Sequence, residues 1–388
     1  MNITIQPTLL RGSITPPPSK SQTHRVVIAA ALAGQGGELL PTGLSQDIDA
    51  TMRCMAALNK EGTELPCLDC GESGSTLRFL IPVALAAAGG GVFTGRGRLM
   101  ERPQKPYFDL FEEKGIFYER KDGVLTVKGK LRPGVYRLPG NVSSQFITGL
   151  LYALPLLEGD SEIRLTTALE SQGYVDMTLE VLEQFGIRVE CREDRFFVPG
   201  GQKYRNRAVC IECDWSQAAF WYAARALGSG VEVEGMNPAS AQGDRVILRQ
   251  FDRLICSGDV ELDVSQCPDL VPALAVMAAV RQGTTRITNA ARLRIKESDR
   301  LAAVTDVLNK LGADVTEQAD GLSIVGRTEL AGGVSVDSHN DHRIAMMAAV
   351  AATRCRQAVT VQGGECVAKS YPTFWTDYEM LGGRIVRS

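Results

Sequence analysis

The sequence predicts a mixed α/β (α+β) chain with two matching halves, and three observations carry that prediction. At 388 residues the chain is longer than one compact core usually fills, which points to two domains. Short apolar helical segments that end in glycine recur along it. A second set of helices, apolar on nearly every face, keeps the same rhythm.

In the first set, Leu58–Gly62, Phe111–Gly115, Leu182–Gly186, Leu308–Gly312 and Tyr378–Gly382 each close a helical pattern on glycine, the usual signal past a last turn. The interval between Gly186 and Gly312 is about double the others, and a degenerate copy near Phe251–Ile255 fills it. Three copies run on into a two-strand pattern: GIFYERKDGVLTVKG, GIRVECREDRFFVPG and GADVTEQADGLSIVG. The all-apolar helices start near Ser19, Ser73, Ser143, Asp214, Pro268 and Asn340. Those residue types suit helix caps and first turns, and apolar faces all round mark buried helices.

The remaining composition excludes more than it assigns. Apolar residues at 44% and charged residues at 22% are ordinary for a globular protein, and a net charge of -3 gives no global pull on nucleic acid or anionic membrane. MNITIQPTLL lacks the basic and apolar regions of a signal peptide, and the longest apolar run, Phe79–Ala88, is too short to span a bilayer. The expectation is a cytoplasmic protein with ten reduced cysteines. Cys67/Cys70 and Cys210/Cys213 form CxxC pairs without the spacing of a zinc ribbon. Residues 209–213 read as a strand, and the cysteines as buried structural thiols. Three histidines are too few for a metal site.

The buried-helix starts are unusually polar: PPSKSQTHR, CGESGSTLR, GNVSSQF, CDWSQAAF, CPDLVP and HNDHR. A helix N-terminus offers free N–H groups and about half a positive charge, so it accommodates anions. Lys20, Arg25, Arg78 and Arg343 add full charges there, and Ser143, Ser144 and Gln145 add neutral donors. Further cations lie in the loop Gly95–Pro103, in Arg292–Arg300 and at Lys369.

Together these segments resemble the 5-enolpyruvylshikimate-3-phosphate synthase family from Pro18 to Trp375. SKSxTHR, GESGSTLRF, VSSQF, RIKESDRL, NDHRIAM and AKSYPTF stand in that family's order and at its spacings. The resemblance implies two domains, each of three βαβαββ-type repeats, with the active site in the cleft between them. The crossings are placed near Ser19 and Asp214, so residues 1–18 and 214–388 form one domain and 19–213 the other. The implied reaction moves the enolpyruvyl group of phosphoenolpyruvate to the 5-hydroxyl of shikimate 3-phosphate, with release of phosphate. It proceeds by addition and elimination through a tetrahedral ketal, in a monomer with no metal or organic cofactor and no nucleic-acid or membrane partner.

Roles carried over by motif are as follows. Ser21, Arg25, Ser143, Ser144, Ser171 and Tyr174 would hold shikimate 3-phosphate, with Lys296 near its phosphate. Gly74, Arg98, Arg300, Arg343 and Lys369 would hold phosphoenolpyruvate, while Lys20 and Gln145 touch both. Asp269 would take the hydroxyl proton and Glu297 would protonate the methylene carbon, with Lys20 sharing this traffic. Glu72 and Arg292 stand where other members carry Asn, and neither is assigned a contact. A sister family acts on UDP-N-acetylglucosamine and usually carries a reactive cysteine on a mobile loop. The matching region here, Gly95–Pro103, has none.

Overall fold

The computed structural model describes residues 1–34, 44–60 and 64–388. Gly62, the end of the first glycine-closed segment, lies outside them. The chain divides into two compact units: Met1–Ser19 with Glu212–Ser388, and Lys20–Ile211. The changes of unit thus fall at Ser19/Lys20 and Ile211/Glu212, within two residues of the crossings read from the sequence. At the crossing Pro18 bridges Cys213, and Asp214 N donates to Pro17 O at 2.9 Å.

Four four-stranded sheets share one plan. In the inserted unit they are Cys67–Asp69, Gly90–Thr94, Val124–Lys128 and Phe117–Lys121, then Gly134–Leu138, Ser161–Leu165, Arg195–Val198 and Glu190–Arg192. In each sheet the first pair is parallel and the next two pairings are antiparallel. The closing pair is a hairpin, as the two-strand pattern requires. Asp122 and Gly123 turn the first of them with φ of 50° and 74°, the conformation a tight hairpin needs.

The other unit repeats the plan with Val260–Asp263, Thr284–Thr288, Gly321–Val325 and Asp314–Gln318. Its last sheet runs Ser335–Asp337, Val359–Gln362, Asn2–Gln6 and Arg384–Arg387, so a strand from the start of the chain occupies an inner position. A fifth sheet is reduced to Arg11–Ile14 beside Gly230–Val233. The degenerate copy is the helix Ile247–Leu254, which ends without glycine.

Each unit has its own apolar core around three buried helices. In the inserted unit these are Lys20–Leu32, Gly74–Ala88 and Ser144–Ala153; in the other, Trp215–Ala226, Val271–Ala279 and His342–Ala352. All eleven residues of His342–Ala352 are buried. Ser73, Ser143 and Asp214 cap their helices as their residue types predict. The start near Asn340 moves to Asp341, because Asn340 takes φ +51 and the Asp341 carboxylate accepts from Arg343 N. Pro268 opens a short 3-10 turn ahead of Val271–Ala279.

Two expectations about cysteine are corrected. Residues 209–213 form no strand beyond the single bridge at Cys213, since their only ladder partner is Pro18. Of the CxxC cysteines only Cys70 is buried; Cys67 and Cys210 are exposed and Cys213 is half-buried. Among the described residues no helix is long and apolar enough to cross a membrane.

Candidate active site

In the inserted unit, the first turns of the buried helices carry the polar groups. Lys20 Nζ donates to Asp47 Oδ2 at 2.8 Å. Arg25 is almost wholly buried, and its guanidinium donates to Ser21 O at 2.7 Å, Tyr174 O at 2.8 Å and Thr178 Oγ1 at 2.8 Å. Burial lowers its pKa to about 10, against the opposing pull of Tyr152 and Tyr174. Ser171, held in the left-handed region at φ 57, opens the helix Gln172–Gln184 that brings Tyr174 there. Arg25 therefore ties its own helix, through Ser21 O, to Tyr174 of the helix that Ser171 opens.

Beneath them runs a chain of hydroxyls. His24 Nδ1 meets Thr51 Oγ1 at 2.7 Å, Thr51 meets Thr76 at 2.6 Å, and Thr76 donates to Ser73 Oγ at 2.7 Å. This chain ties Lys20–Leu32 and Gln46–Leu58 to the start of Gly74–Ala88. Burial, aided by the charges of Lys20 and Arg25, holds the His24 pKa well below its usual value, so the imidazole is neutral.

Gly74 is the first residue of its helix, and a methyl there would stand 2.5 Å from Arg102 Nη1. A larger residue there would push that guanidinium aside. Arg98 lies exposed in the following loop, where its carbonyl accepts from Glu101 N and Arg102 N. Glu72 rests against Gly97 of the same loop, its Oε2 2.7 Å from where a Cβ would be. Ser143 Oγ accepts from Gln145 N at 3.3 Å, and Gln145 Nε2 donates to Ser75 Oγ at 3.0 Å. Ser144, buried, is the first residue of that helix.

The other unit gathers a second cluster around one carboxylate. Asp269 Oδ1 accepts from Lys296 Nζ at 3.1 Å and Arg300 Nη1 at 2.9 Å, and Oδ2 accepts from Arg343 Nη2 at 3.2 Å. Burial alone would raise the Asp269 pKa, but Arg343, Lys296 and Arg300 outweigh it and hold the group well below the carboxylate range. Glu297 Oε2 accepts from Arg300 Nη2 at 2.7 Å. Lys369, buried, donates to Asn340 O at 2.6 Å.

Behind them sits Asp341, which the sequence reading did not single out. It is fully buried and accepts from Arg300 Nε at 2.8 Å, Ser298 Oγ at 3.0 Å and Arg343 N at 2.9 Å. Asp47 and Ser216 were also missed; Ser216 Oγ accepts from Arg343 at 3.0 Å and donates to Asp214. A signal for Asp341 exists, since it shares the NDHR motif with Arg343. Arg292 donates to Ser265 O.

The two clusters suit polyanionic substrates. Arg25, Arg300 and Arg343 are buried cations in the first two turns of their helices, and the second cluster also holds the carboxylates of Asp269 and Glu297. Among the described residues no group of His, Cys, Asp and Glu is arranged for a metal.

A family model described as EPSP synthase (3-phosphoshikimate 1-carboxyvinyltransferase) matches residues 5–378. The 3-phosphoshikimate 1-carboxyvinyltransferase of Clostridium acetobutylicum is 46% identical, covering 99% of this chain and 98% of its own. Its counterpart from Clostridium kluyveri is 45% identical with the same coverage. Among solved structures, the EPSP synthase of Acinetobacter baumannii matches with a TM-score of 0.77 at 25% identity, over 100% of both chains. The enolpyruvyl transferase NikO from Streptomyces tendae matches with a TM-score of 0.75 over 100% of this chain and 98% of its own. At 16% identity that likeness is one of fold alone.

Proposed function

Because the chain belongs to the EPSP synthase family of 3-phosphoshikimate 1-carboxyvinyltransferases, we infer that it transfers the enolpyruvyl group of phosphoenolpyruvate to the 5-hydroxyl of shikimate 3-phosphate. Phosphate is released, and the product feeds aromatic biosynthesis. The observation that carries the assignment of roles is Asp269 ringed by Lys296, Arg300 and Arg343.

In the free protein those cations make Asp269 a weak base. An incoming phosphate or carboxylate competes for the same donors, and each bond it takes returns basicity to Asp269. The carboxylate then accepts the proton of the attacking 5-hydroxyl. Glu297 is paired with Arg300 in the same way. Once Arg300 turns to substrate, Glu297 can carry the proton that the methylene carbon receives. The ketal collapses when its methyl carbon gives a proton back to Glu297, the carbon–carbon double bond re-forms and the bond to phosphate breaks; the growing charge falls to cations among Lys20, Arg98, Arg300, Arg343 and Lys369. Ser21, Arg25, Ser143, Ser144, Ser171 and Tyr174 hold the shikimate substrate, Gln145 touches both substrates, and Gly74 stands at the helix start that receives phosphoenolpyruvate. The enzyme works as a cytoplasmic monomer on these two small molecules.

The deciding assay measures phosphate release from phosphoenolpyruvate with shikimate 3-phosphate and, separately, with UDP-N-acetylglucosamine. Turnover with the first acceptor alone is expected; turnover only with the second overturns the reading.

A further inference from the structure

Arg78 is a buried cation in the second turn of Gly74–Ala88 to which no role has yet been given. Only 3% of it is exposed, and the guanidinium carbon lies 4.9 Å from the centre of the Phe146 ring. Nη1 donates to Gln145 Oε1 at 2.8 Å and Nη2 donates to Pro103 O at 3.0 Å. One side chain therefore joins three pieces: its own helix, the start of Ser144–Ala153, and the end of the loop that carries Arg98 and Arg102.

The surroundings fix this arrangement tightly. A methyl at Gly149 would stand 2.3 Å from the Tyr107 hydroxyl and 2.5 Å from Arg78 O, so the two helices meet backbone to backbone there. The Tyr107 hydroxyl reaches Arg78 O at 2.8 Å and Phe146 O at 3.0 Å, tying both helices at that level.

A guanidinium only donates, so the atom of Gln145 that meets Arg78 is the carbonyl oxygen. The amide nitrogen is then the end that meets Ser75 Oγ, at 3.0 Å. Since Ser75 accepts from Gln145, its own proton is left for another acceptor. The result is a row of donors with one direction: Arg78 to Gln145, Gln145 to Ser75, and Ser75 outward beside Gly74. Polarised rows of this kind strengthen each member.

We propose that Arg78 is a positioning residue, fixing the amide of Gln145 so that the amide and the Ser75 hydroxyl both present protons to the substrate anion at the start of Gly74–Ala88. The proposal rests on the reading above, in which Gln145 touches substrate. Without Arg78 the amide is free to turn over and offer its oxygen to an anion, which repels it. The bond to Pro103 O anchors the other end of the same guanidinium and so fixes the nitrogen that faces Gln145.

The test is a double-mutant cycle with Arg78→Lys, Gln145→Ala and the pair, read as kcat/KM for phosphoenolpyruvate at saturating shikimate 3-phosphate. Lysine keeps the charge, but one ammonium cannot serve both Gln145 and Pro103 as the fork does. Each single change is expected to cost roughly tenfold to a hundredfold, the scale of a misplaced positioning group. If Arg78 acts through Gln145, the pair falls no more than about twofold below Gln145→Ala alone. Losses that multiply, or wild-type kinetics in Arg78→Lys, overturn the proposal.

Gln145→Glu gives a second reading that leaves Arg78 in place. A carboxylate still pairs with the guanidinium, so the melting temperature should not fall, while the lost donor raises the KM for phosphoenolpyruvate by roughly tenfold or more. A drop in melting temperature, or an unchanged KM, counts against it. A wild-type enzyme inactive with shikimate 3-phosphate would instead refute the functional reading, which the cycle alone cannot do.

Discussion

Asp269 holds three cations and is meant to take a proton, two demands that pull against each other until substrate arrives. Asp269→Asn removes the base and the negative charge that competes with anions for Lys296, Arg300 and Arg343. The expected signature is a kcat loss of about a hundredfold to ten-thousandfold with a KM for phosphoenolpyruvate that is unchanged or lower. Steady-state kinetics decide this, and a variant with near-normal kcat would remove Asp269 from the mechanism. His24 sets a different pH dependence. Its folded pKa lies well below the usual value, so between about pH 6.5 and that folded pKa the unfolded chain binds a proton the native chain does not. Stability should therefore fall as pH drops below about 6.5, by up to about 1.4 kcal/mol per pH unit from this one group. Urea melts of His24→Gln should show a flatter acid limb than wild type, and an unchanged limb would argue against a neutral buried His24.

Helix starts are the elements on which both clusters are built, and their caps are not equivalent. Asp299 caps Arg300–Lys310 from a partly exposed position and also meets Arg294. Replacing it with Ala should cost about 1 kcal/mol, the usual worth of a cap. Asp341 caps His342–Ala352 and is also a buried counter-charge of Arg300. Asp341→Ala should cost about 3–5 kcal/mol, because it leaves that guanidinium buried with one carboxylate fewer. Equal denaturation midpoints for the two variants would contradict this. The same contrast marks what the sequence made legible. Ser73, Ser143 and Asp214 were readable as caps because capping depends on one residue and its next turn. Asp341 and Asp47 were not singled out, because their importance lies in Arg300 and Lys20, which the chain brings to them from 41 and 27 residues away. The Cys210 segment misled for a related reason. A strand-like pattern does not supply the ladder partner that makes a strand.

At the scale of the whole molecule, a rhythm of six units was visible from recurring glycines and apolar helices, while the sheets reveal unequal copies. Among the described residues four sheets are complete and a fifth is a parallel pair of strands. Sequence pattern finds helices more readily than it finds which strands pair, since pairing is decided by partners far apart. The least legible pairing puts Asn2–Gln6 between Val359–Gln362 and Arg384–Arg387. Asn2 N and Ser388 O are 2.7 Å apart, and Ser388 N and Asn2 O are 3.0 Å apart. Residues 20–211 made alone should fold, with cooperative thermal unfolding followed by circular dichroism. Residues 212–388 alone should not, whereas a short Gly/Ser link from Ser388 to residues 1–19 should restore the transition. Cooperative melting of 212–388 without the added strand would refute this. On the ribosome the consequence is one of timing. At about 5–20 residues per second, the first strand made waits on the order of twenty to eighty seconds for its neighbours. The inserted domain can therefore finish folding while the other still lacks Val359–Gln362 and Arg384–Arg387, the two strands that give Asn2–Gln6 somewhere to go.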